Sequence, residues 1–389
     1  MKFFLLFFSF LLSPLLVLAQ TINLDVSHIP DSLQVDANAV VRYDHRVFEV
    51  KNKGKATYQV RYACTILNNK AADLANLYLH YDLLKEIDDM EAQLYDAEGN
   101  IIKKFHEKDF KDQLAHSSGT FVDDTRVKYL EVMADNYPYT IVFEYSTTYN
   151  GLLFYPNWTP IDDENISLQE ASFQAVIPTD LQLRYKNNLL DIEPIVTQDA
   201  TDNIFSWKLQ NQKPIKYEVV GPYKQTPSVL LAPSDFSIEK HDGNLETWED
   251  LGTFYYNLNK DRDALPEATI QEIKALVANE TDQRKIIEKV YKYVQERTRY
   301  VGIQLGIGGW QTFKAETVDK NKYGDCKALT NYTQALLKNV GIPAYYTLIR
   351  AGRNTYDIDP DFTHKSFNHV ILTIPLDTDT MFLECTSQN

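Results

Sequence analysis

The spacing of apolar residues changes once along this chain, and the change divides it into two parts. From residue 36 to about 220 larger apolar residues alternate with polar ones, and in residues 58–66 they fall on even positions. A period of two is typical of half-buried strands. Because no long helical pattern separates these strands, we predict an all-β, antiparallel, sandwich-like domain at residues 20–230.

The period becomes helical after a proline-rich connector, and we place the domain boundary near residues 222–240. Three helices are predicted before residue 300, with Thr247 and Thr281 as caps and Pro266 in a first turn. Another helix begins near Cys326. Strand patterns follow at residues 345–350, 367–374 and 380–386. Residues 240–389 are therefore expected to form an α+β domain.

Residues 1–19 have the pattern of a secretory signal peptide. Lys2 precedes an apolar run, and residues 17–19 (Val-Leu-Ala) suit a cleavage site before Gln20. A transmembrane anchor is the alternative, but the run is short and no positive residue follows it. No other apolar run could span a bilayer. We therefore expect export to the periplasm, cell envelope or exterior, with no transmembrane segment in the mature chain.

Charge and cysteine count narrow the chemistry. The net charge is −15 with no basic cluster, which argues against nucleic acid as a partner. Three cysteines, Cys64, Cys326 and Cys385, do not make a disulfide framework, so at least one thiol stays free. No cysteine and histidine cluster suggests zinc, and the acidic groups at 123–124 and 162–164 lack a calcium-loop pattern. We predict no metal site and no cofactor.

Cys326 lies at the first turn of a predicted helix. Asp325 is a suitable N-cap, and residues 341–343 (Gly-Ile-Pro) end the helix. The positive end of the helix dipole favours a thiolate, the nucleophilic form of cysteine. A free cysteine can equally be a small buried apolar residue. The helix alone leaves both interpretations open.

Two downstream residues favour the nucleophile. Thiol catalysis requires a base near the sulfur and a third group that orients the base. His369 lies on a strand after the helix, and Glu384 lies on the next strand, which a short turn at 377–379 makes an antiparallel neighbour. His364 is a rival base in a preceding loop. Cys385 should point away from Glu384 on a regular strand.

These segments resemble the transglutaminase-like superfamily, whose papain-like core has a Cys-His-Asp triad. The resemblance covers roughly residues 245–389. It rests on residues 323–326 (Tyr-Gly-Asp-Cys), 341–344 (Gly-Ile-Pro-Ala), 367–370 (Phe-Asn-His-Val) and 382–387 (Phe-Leu-Glu-Cys-Thr-Ser). The β-rich part resembles a domain of unknown function that precedes this core in exported bacterial proteins, especially those of Bacteroidetes. Since relatives continue past this point, we expect further chain after Asn389.

The resemblance implies that Cys326 is the nucleophile and His369 the base. Glu384 stands where the family usually has aspartate, and Ala328 stands where many relatives have aspartate. The backbone N–H of Cys326 is a natural oxyanion donor. Candidates for the second donor are the indole of Trp310, which we prefer, and the side-chain amides of Gln304 and Gln311.

The leading hypothesis is an exported thiol acyl-transfer enzyme that acts on amides of peptides or proteins. Protease, deamidase and transglutaminase activities remain open, because each differs only in the substrate amide or in the group that resolves the thioester. The alternative is a non-catalytic envelope binding or scaffold protein with a degenerate core. The departures at Glu384 and Ala328 motivate that alternative.

Overall fold

We describe the protein from a computed structural model, which covers residues 23–115, 120–134, 136–216, 226–352 and 357–387. The predicted signal peptide, residues 1–19, lies outside these residues, as does part of the predicted connector. Among the described residues, no helix combines the length and the apolar character needed to cross a bilayer.

The N-terminal part is rich in strands, as the period of two predicts. A short helix, α1 (Asp31–Gln34), precedes them. The strands are β1 (Ala39–Asn52), β2 (Lys55–Ile66), β3 (Leu77–Tyr81), β4 (Lys85–Tyr95), β5 (Ile101–Phe105), β6 (Lys111–Leu114), β7 (Thr120–Asp123), β8 (Arg126–Leu130), β9 (Tyr139–Tyr149), β10 (Ile166–Pro178), β11 (Leu183–Asn188), β12 (Ile195–Gln198), β13 (Asp202–Gln212), β14 (Ser228–Pro233), β15 (Asp235–Ile238) and β16 (His241–Asn244). Short 3₁₀ helices lie at Val26–His28, Asn69–Ala75 and Glu107–Asp109.

Eight of these strands form one sheet in the order β12-β13-β10-β1-β2-β9-β4-β5. Neighbouring strands are antiparallel, except that β1 and β10 are parallel. The prediction of a wholly antiparallel arrangement is therefore wrong for this pair. The reason is the connection at 150–165, which is too long for a hairpin and lets β10 run in the same direction as β9.

Side chains on alternate positions of β2 confirm the strand prediction. Tyr58, Val60, Cys64 and Ile66 are all buried in the core of the β-rich part. Cys64 is therefore a core residue, as its even position predicts. Burial raises the pKa of its thiol to about 12.

The C-terminal part follows as helices and short strands. The helices are α2 (Trp248–Asn259), α3 (Glu267–Val277), α4 (Gln283–Arg297), α5 (Ala315–Asn321) and α6 (Cys326–Asn339), with a 3₁₀ turn at Gly306–Gly309. The strands are β17 (Arg299–Tyr300), β18 (Gly302–Gln304), β19 (Tyr323–Gly324), β20 (Tyr345–Ile349), β21 (His369–Pro375) and β22 (Thr380–Leu383). An antiparallel sheet β20-β21-β22 packs against α6.

Helix starts agree with the sequence predictions to within one residue. Thr247 caps α2 in a reciprocal arrangement with Asp250, and Pro266 directly precedes α3. The cap of α4 is Asp282 rather than the predicted Thr281, because the Asp282 carboxylate accepts from the first free amides of the helix.

A separate apolar cluster joins the two parts. Leu153 and Phe236 of the β-rich part pack with Leu251 and Phe254 of α2 and with Phe362. The first helix of the C-terminal part is thus attached to the β-rich part. That attachment places loops from the β-rich part beside the start of α6.

Candidate active site

Cys326 is the first residue of α6, and the preceding residues fix its position. The Asp325 carboxylate accepts from the backbone N–H of Ala328 at 2.9 Å, which confirms the predicted N-cap. It also forms a buried ion pair with Lys327. Gly324 is required by close packing, since an added Cβ would lie 2.7 Å from the Ala328 Cβ. The thiol is therefore held at a rigid helix start.

His369 begins β21, and its imidazole is held by Glu384. His369 Nε2 lies 2.6 Å from Glu384 Oε2. The other carboxylate oxygen, Oε1, accepts from the backbone N–H of Thr386 at 2.9 Å and from its hydroxyl at 2.6 Å. Glu384 follows the end of β22 instead of lying within the strand. Burial raises the pKa of Glu384, but the hydrogen bonds from Thr386 and His369 outweigh burial and lower it.

The imidazole and the thiol line the same cavity. A hydrogen bond to the Cys326 side chain is the largest cause that raises the pKa of His369, to about 9, and Glu384 adds to it against the effect of burial. Nε2 of the same ring contacts Glu384. Both the thiol and the carboxylate thus favour an imidazolium over a neutral ring.

Cys326 and His369 open on a cavity of about 420 Å³. Both parts of the chain form its walls. The C-terminal part contributes Gln304, Gly306, Gly309, Trp310, Lys327, Asn368 and others, and the β-rich part contributes Asp82, Leu84, Asp124, Thr125 and Phe154. The backbone of β18 pairs in parallel with β7 beside this cavity. The β-rich part thus forms one side of the candidate active site.

Two of the three predicted oxyanion donors reach the cavity. Trp310 and Gln304 line it together with Cys326. The Gln311 side chain instead donates to the backbone carbonyl of Leu258 at 2.9 Å. Gln311 is therefore corrected to a structural role, because its amide already satisfies a carbonyl at the end of α2.

The rival base and the third cysteine are separate from the cavity. His364 is buried, its Nδ1 lies 2.9 Å from the carbonyl oxygen of Phe362, and burial lowers its pKa. Cys385 is buried on the other side of the chain from Glu384, and burial raises the pKa of its thiol to about 11. Neither residue shares the cavity with Cys326.

Contacts from the β-rich part hold two loops around the cavity. Glu239 accepts from the backbone N–H of Ile307 at 2.7 Å. Gly306, just before it, has a φ of +49°, and an added Cβ would lie 2.3 Å from Glu239 Oε1. Arg184 donates to the carbonyls of Leu245 and Thr363, the latter at 2.8 Å.

Sequence reasoning missed several residues of the site. Asp82 and Asp124 lie more than 200 residues before Cys326, and nothing local in the sequence connects them to it. Thr386 could have been found, because a hydroxyl two residues after a carboxylate often bonds to it locally. Within the described residues, no group of three or more His, Cys, Asp or Glu side chains is placed to bind a metal ion.

Comparison with protein families identifies one match. The model of DUF3857, described as a domain of unknown function with a solved structure, matches residues 52–216, which lie within the β-rich part. This match agrees with the predicted resemblance of that part to a domain of unknown function. No curated protein matches the chain.

Solved structures include one with a similar fold over most of the chain. It is a protein from Parabacteroides distasonis described as a "putative protease", with 13% identity, a TM-score of 0.66 and coverage of 89% of this chain and 67% of the other. A "putative cysteine protease" from Cytophaga hutchinsonii has 9% identity, a TM-score of 0.25 and coverage of 86% and 78%. At 13% identity the likeness to the Parabacteroides protein concerns the fold alone. The likeness to the Cytophaga protein, with its low TM-score, supports no argument about this chain.

Proposed function

We propose that this protein is an exported thiol hydrolase of the transglutaminase-like type, with a papain-like core, that cleaves amide bonds of peptides or proteins. The observation that supports it best is the 2.6 Å contact of His369 with Glu384 at a cavity that Cys326 also lines. In this proposal Cys326 is the nucleophile, His369 the acid and base, and Glu384 the orienting group.

The steps follow from the contacts. The Cys326 thiolate attacks the amide carbonyl carbon, forming a C–S bond, while the carbonyl oxygen becomes an oxyanion near the N–H of Cys326 and the side chain of Trp310 or Gln304. The C–N bond then breaks, and protonated His369 gives its proton to the leaving amine. A water molecule, deprotonated by His369, attacks the thioester and releases the acid. The sulfur leaves as thiolate, and His369 keeps the proton that the water gave up.

Glu384 supports a working triad over a degenerate one. A glutamate is longer than the aspartate usual at this position, yet its Oε2 lies within 2.6 Å of the imidazole and its Oε1 is held by Thr386. The longer side chain fits because Glu384 stands just past the end of β22. Glu384, one of the two departures that motivated the scaffold hypothesis, therefore keeps the contact that orients the base.

Export is the second half of the proposal. It rests on the pattern of residues 1–19, with cleavage before Gln20. The Parabacteroides protein of similar fold is described as a "putative protease". That description agrees with a peptide or protein substrate and does not identify one.

Thiol reactivity tests the proposal. Brief treatment with iodoacetamide followed by peptide mapping should alkylate Cys326 much faster than Cys64 or Cys385, whose pKa values burial raises. Peptide hydrolysis should disappear in Cys326→Ala. Equal labelling of the three cysteines would contradict activation of Cys326, and release of ammonia from glutamine amides in place of peptide cleavage would redirect the proposal to a deamidase.

A further inference from the structure

A second and larger cavity adjoins the thiol cavity. It measures about 930 Å³ and lies between α2, the C-terminal end of α6, β20 and residues 358–367. Aromatic and aliphatic side chains dominate its walls, including Trp248, Tyr255, Tyr346, Leu348, Ile342 and Phe367. Ligand pockets of roughly 300–1,000 Å³ with mainly apolar walls are the usual kind in proteins.

The two cavities are neighbours through shared walls. Leu251, Tyr255, Leu348 and Phe367 line both of them. A ligand group in the larger cavity would therefore be only a few side chains from Cys326. Burial, and to a smaller extent charge at Cys326, raises the pKa values of Tyr255 and Tyr346.

The mouth of the larger cavity favours an apolar occupant. Tyr256 and Tyr345 are 69% and 59% exposed there, more than is usual for aromatic side chains. The charges of Lys338 and Asp263 at the rim neutralise each other in an ion pair of 2.6 Å. The rim thus exposes aromatic surface that an apolar ligand can cover. The Lys338–Asp263 pair adds no net charge that would attract an ionic ligand.

We infer that the larger cavity binds a bulky apolar side chain, aromatic or aliphatic, of the peptide whose amide carbonyl is attacked by Cys326. This inference rests on the proposed function, since it names the substrate class of the same site. Peptides with such a residue close to the cleaved bond are the preferred substrates. Peptides with only small or charged residues in that region are poor ones.

Gly252 provides a variant that can fill the cavity without touching the triad. It lies on α2 at the cavity wall, and an added Cβ there would have no atom within 4 Å. Gly252→Phe would place a ring in the space proposed for the substrate. Gly252→Ala is the matched control, because it also replaces the glycine with a better helix former but does not fill the cavity.

Peptidyl chloromethyl ketones test the inference, since they alkylate a reactive thiol without requiring turnover. The thiolate displaces chloride and forms a C–S bond. The measured quantity is the second-order rate of Cys326 labelling by a tripeptide series in which Phe, Leu, Gly or Asp is placed at each position in turn. Iodoacetamide, which has no side chain to bind, measures the intrinsic reactivity of the thiol.

We expect Phe or Leu at one position to accelerate labelling by about tenfold or more over Gly. Gly252→Phe should remove that preference and leave the iodoacetamide rate unchanged, and Gly252→Ala should keep the preference.

Equal rates for all peptides with a reactive Cys326 would overturn this inference and leave the proposed function standing. A preference unaffected by Gly252→Phe would also overturn it. If a fatty acyl chloromethyl ketone reacts faster than every peptide, the cavity is a lipid site and the inference is wrong. An unreactive Cys326 would overturn both proposals.

Discussion

His369 Nε2 and Glu384 Oε2 are 2.6 Å apart, although the pairing of β21 with β22 ends before either residue is reached. Pairing of β21 with β22 stops at Leu372 and Leu383, so Glu384 bridges the remaining gap with its side chain. The bonds from Thr386 fix the other oxygen. The contact therefore depends on the length of the glutamate as well as on its charge.

This dependence predicts different effects for two substitutions. Glu384→Gln removes the charge that favours the imidazolium and lets the wrong tautomer form, so kcat/KM for peptide hydrolysis should fall by about 10²–10⁴. Glu384→Asp keeps the charge but is too short to contact Thr386 and His369 together, so its loss should be smaller. If both variants hydrolyse peptide as fast as the wild type, Glu384 has no part in orienting His369.

The raised pKa of His369 predicts a pH dependence. Below about pH 9 the imidazolium is retained and can protonate the leaving amine, so kcat should decline as pH rises through about 9. Titration followed by NMR should give that pKa in the wild type and a lower one in Cys326→Ala, since the hydrogen bond to Cys326 is its largest cause. His364, whose pKa burial lowers, is the internal control in the same spectra. An unchanged His369 pKa in Cys326→Ala would show that the thiol does not contact the ring.

Gly306 should be more sensitive to substitution than its neighbour Gly308. Gly306→Ala places a Cβ 2.3 Å from Glu239 Oε1, so this carboxylate must move and loses its bond to the Ile307 N–H, and a non-glycine residue at a φ of +49° costs on the order of 1–3 kcal/mol. We expect a lower kcat/KM, because the loop lines the thiol cavity. Gly308→Ala, where nothing lies within 4 Å, is the control and should behave like the wild type. Equal kcat/KM and equal thermal stability for the two variants would contradict this.

Arg184 should stabilise the protein much more than an ordinary surface arginine. Arg184→Ala leaves the carbonyls of Leu245 and Thr363 without their donor, which should lower the free energy of unfolding by about 1–3 kcal/mol. The control is Arg61→Ala, which removes only an exposed ion pair with Glu144 and should cost about 0–1 kcal/mol. Urea denaturation measures both values, and similar losses would refute a special role for Arg184.

Local patterns in the sequence were sufficient for the individual elements. Alternation predicted β2 and the burial of Cys64, and the carboxylate of Asp325 predicted the start of α6. These features depend on interactions within a few residues, so nearby sequence contains the information they need. The predicted cap of α4 was wrong by one residue. Thr281 and Asp282 are both good capping residues, and only the path of the backbone selects Asp282.

Residues of the candidate site could be predicted only in part. Cys326, His369 and Glu384 were found because each stands at a recognisable point of its own element and the three together match a family pattern. The parallel pairing of β1 with β10, the diversion of Gln311 to Leu258 and the wall formed by Asp82 and Asp124 were not predictable. Each depends on where distant segments meet.

The sequence by itself determined the strands, the helices and the chemical groups of the proposed triad, since periodicity and capping act over short distances. Only the tertiary structure decided that the β-rich part forms one wall of the thiol cavity and that an apolar cavity lies beside it. The physical reason is that cavities are bounded by side chains from segments far apart in the chain. Their contacts follow from packing between the two parts, which no local pattern encodes.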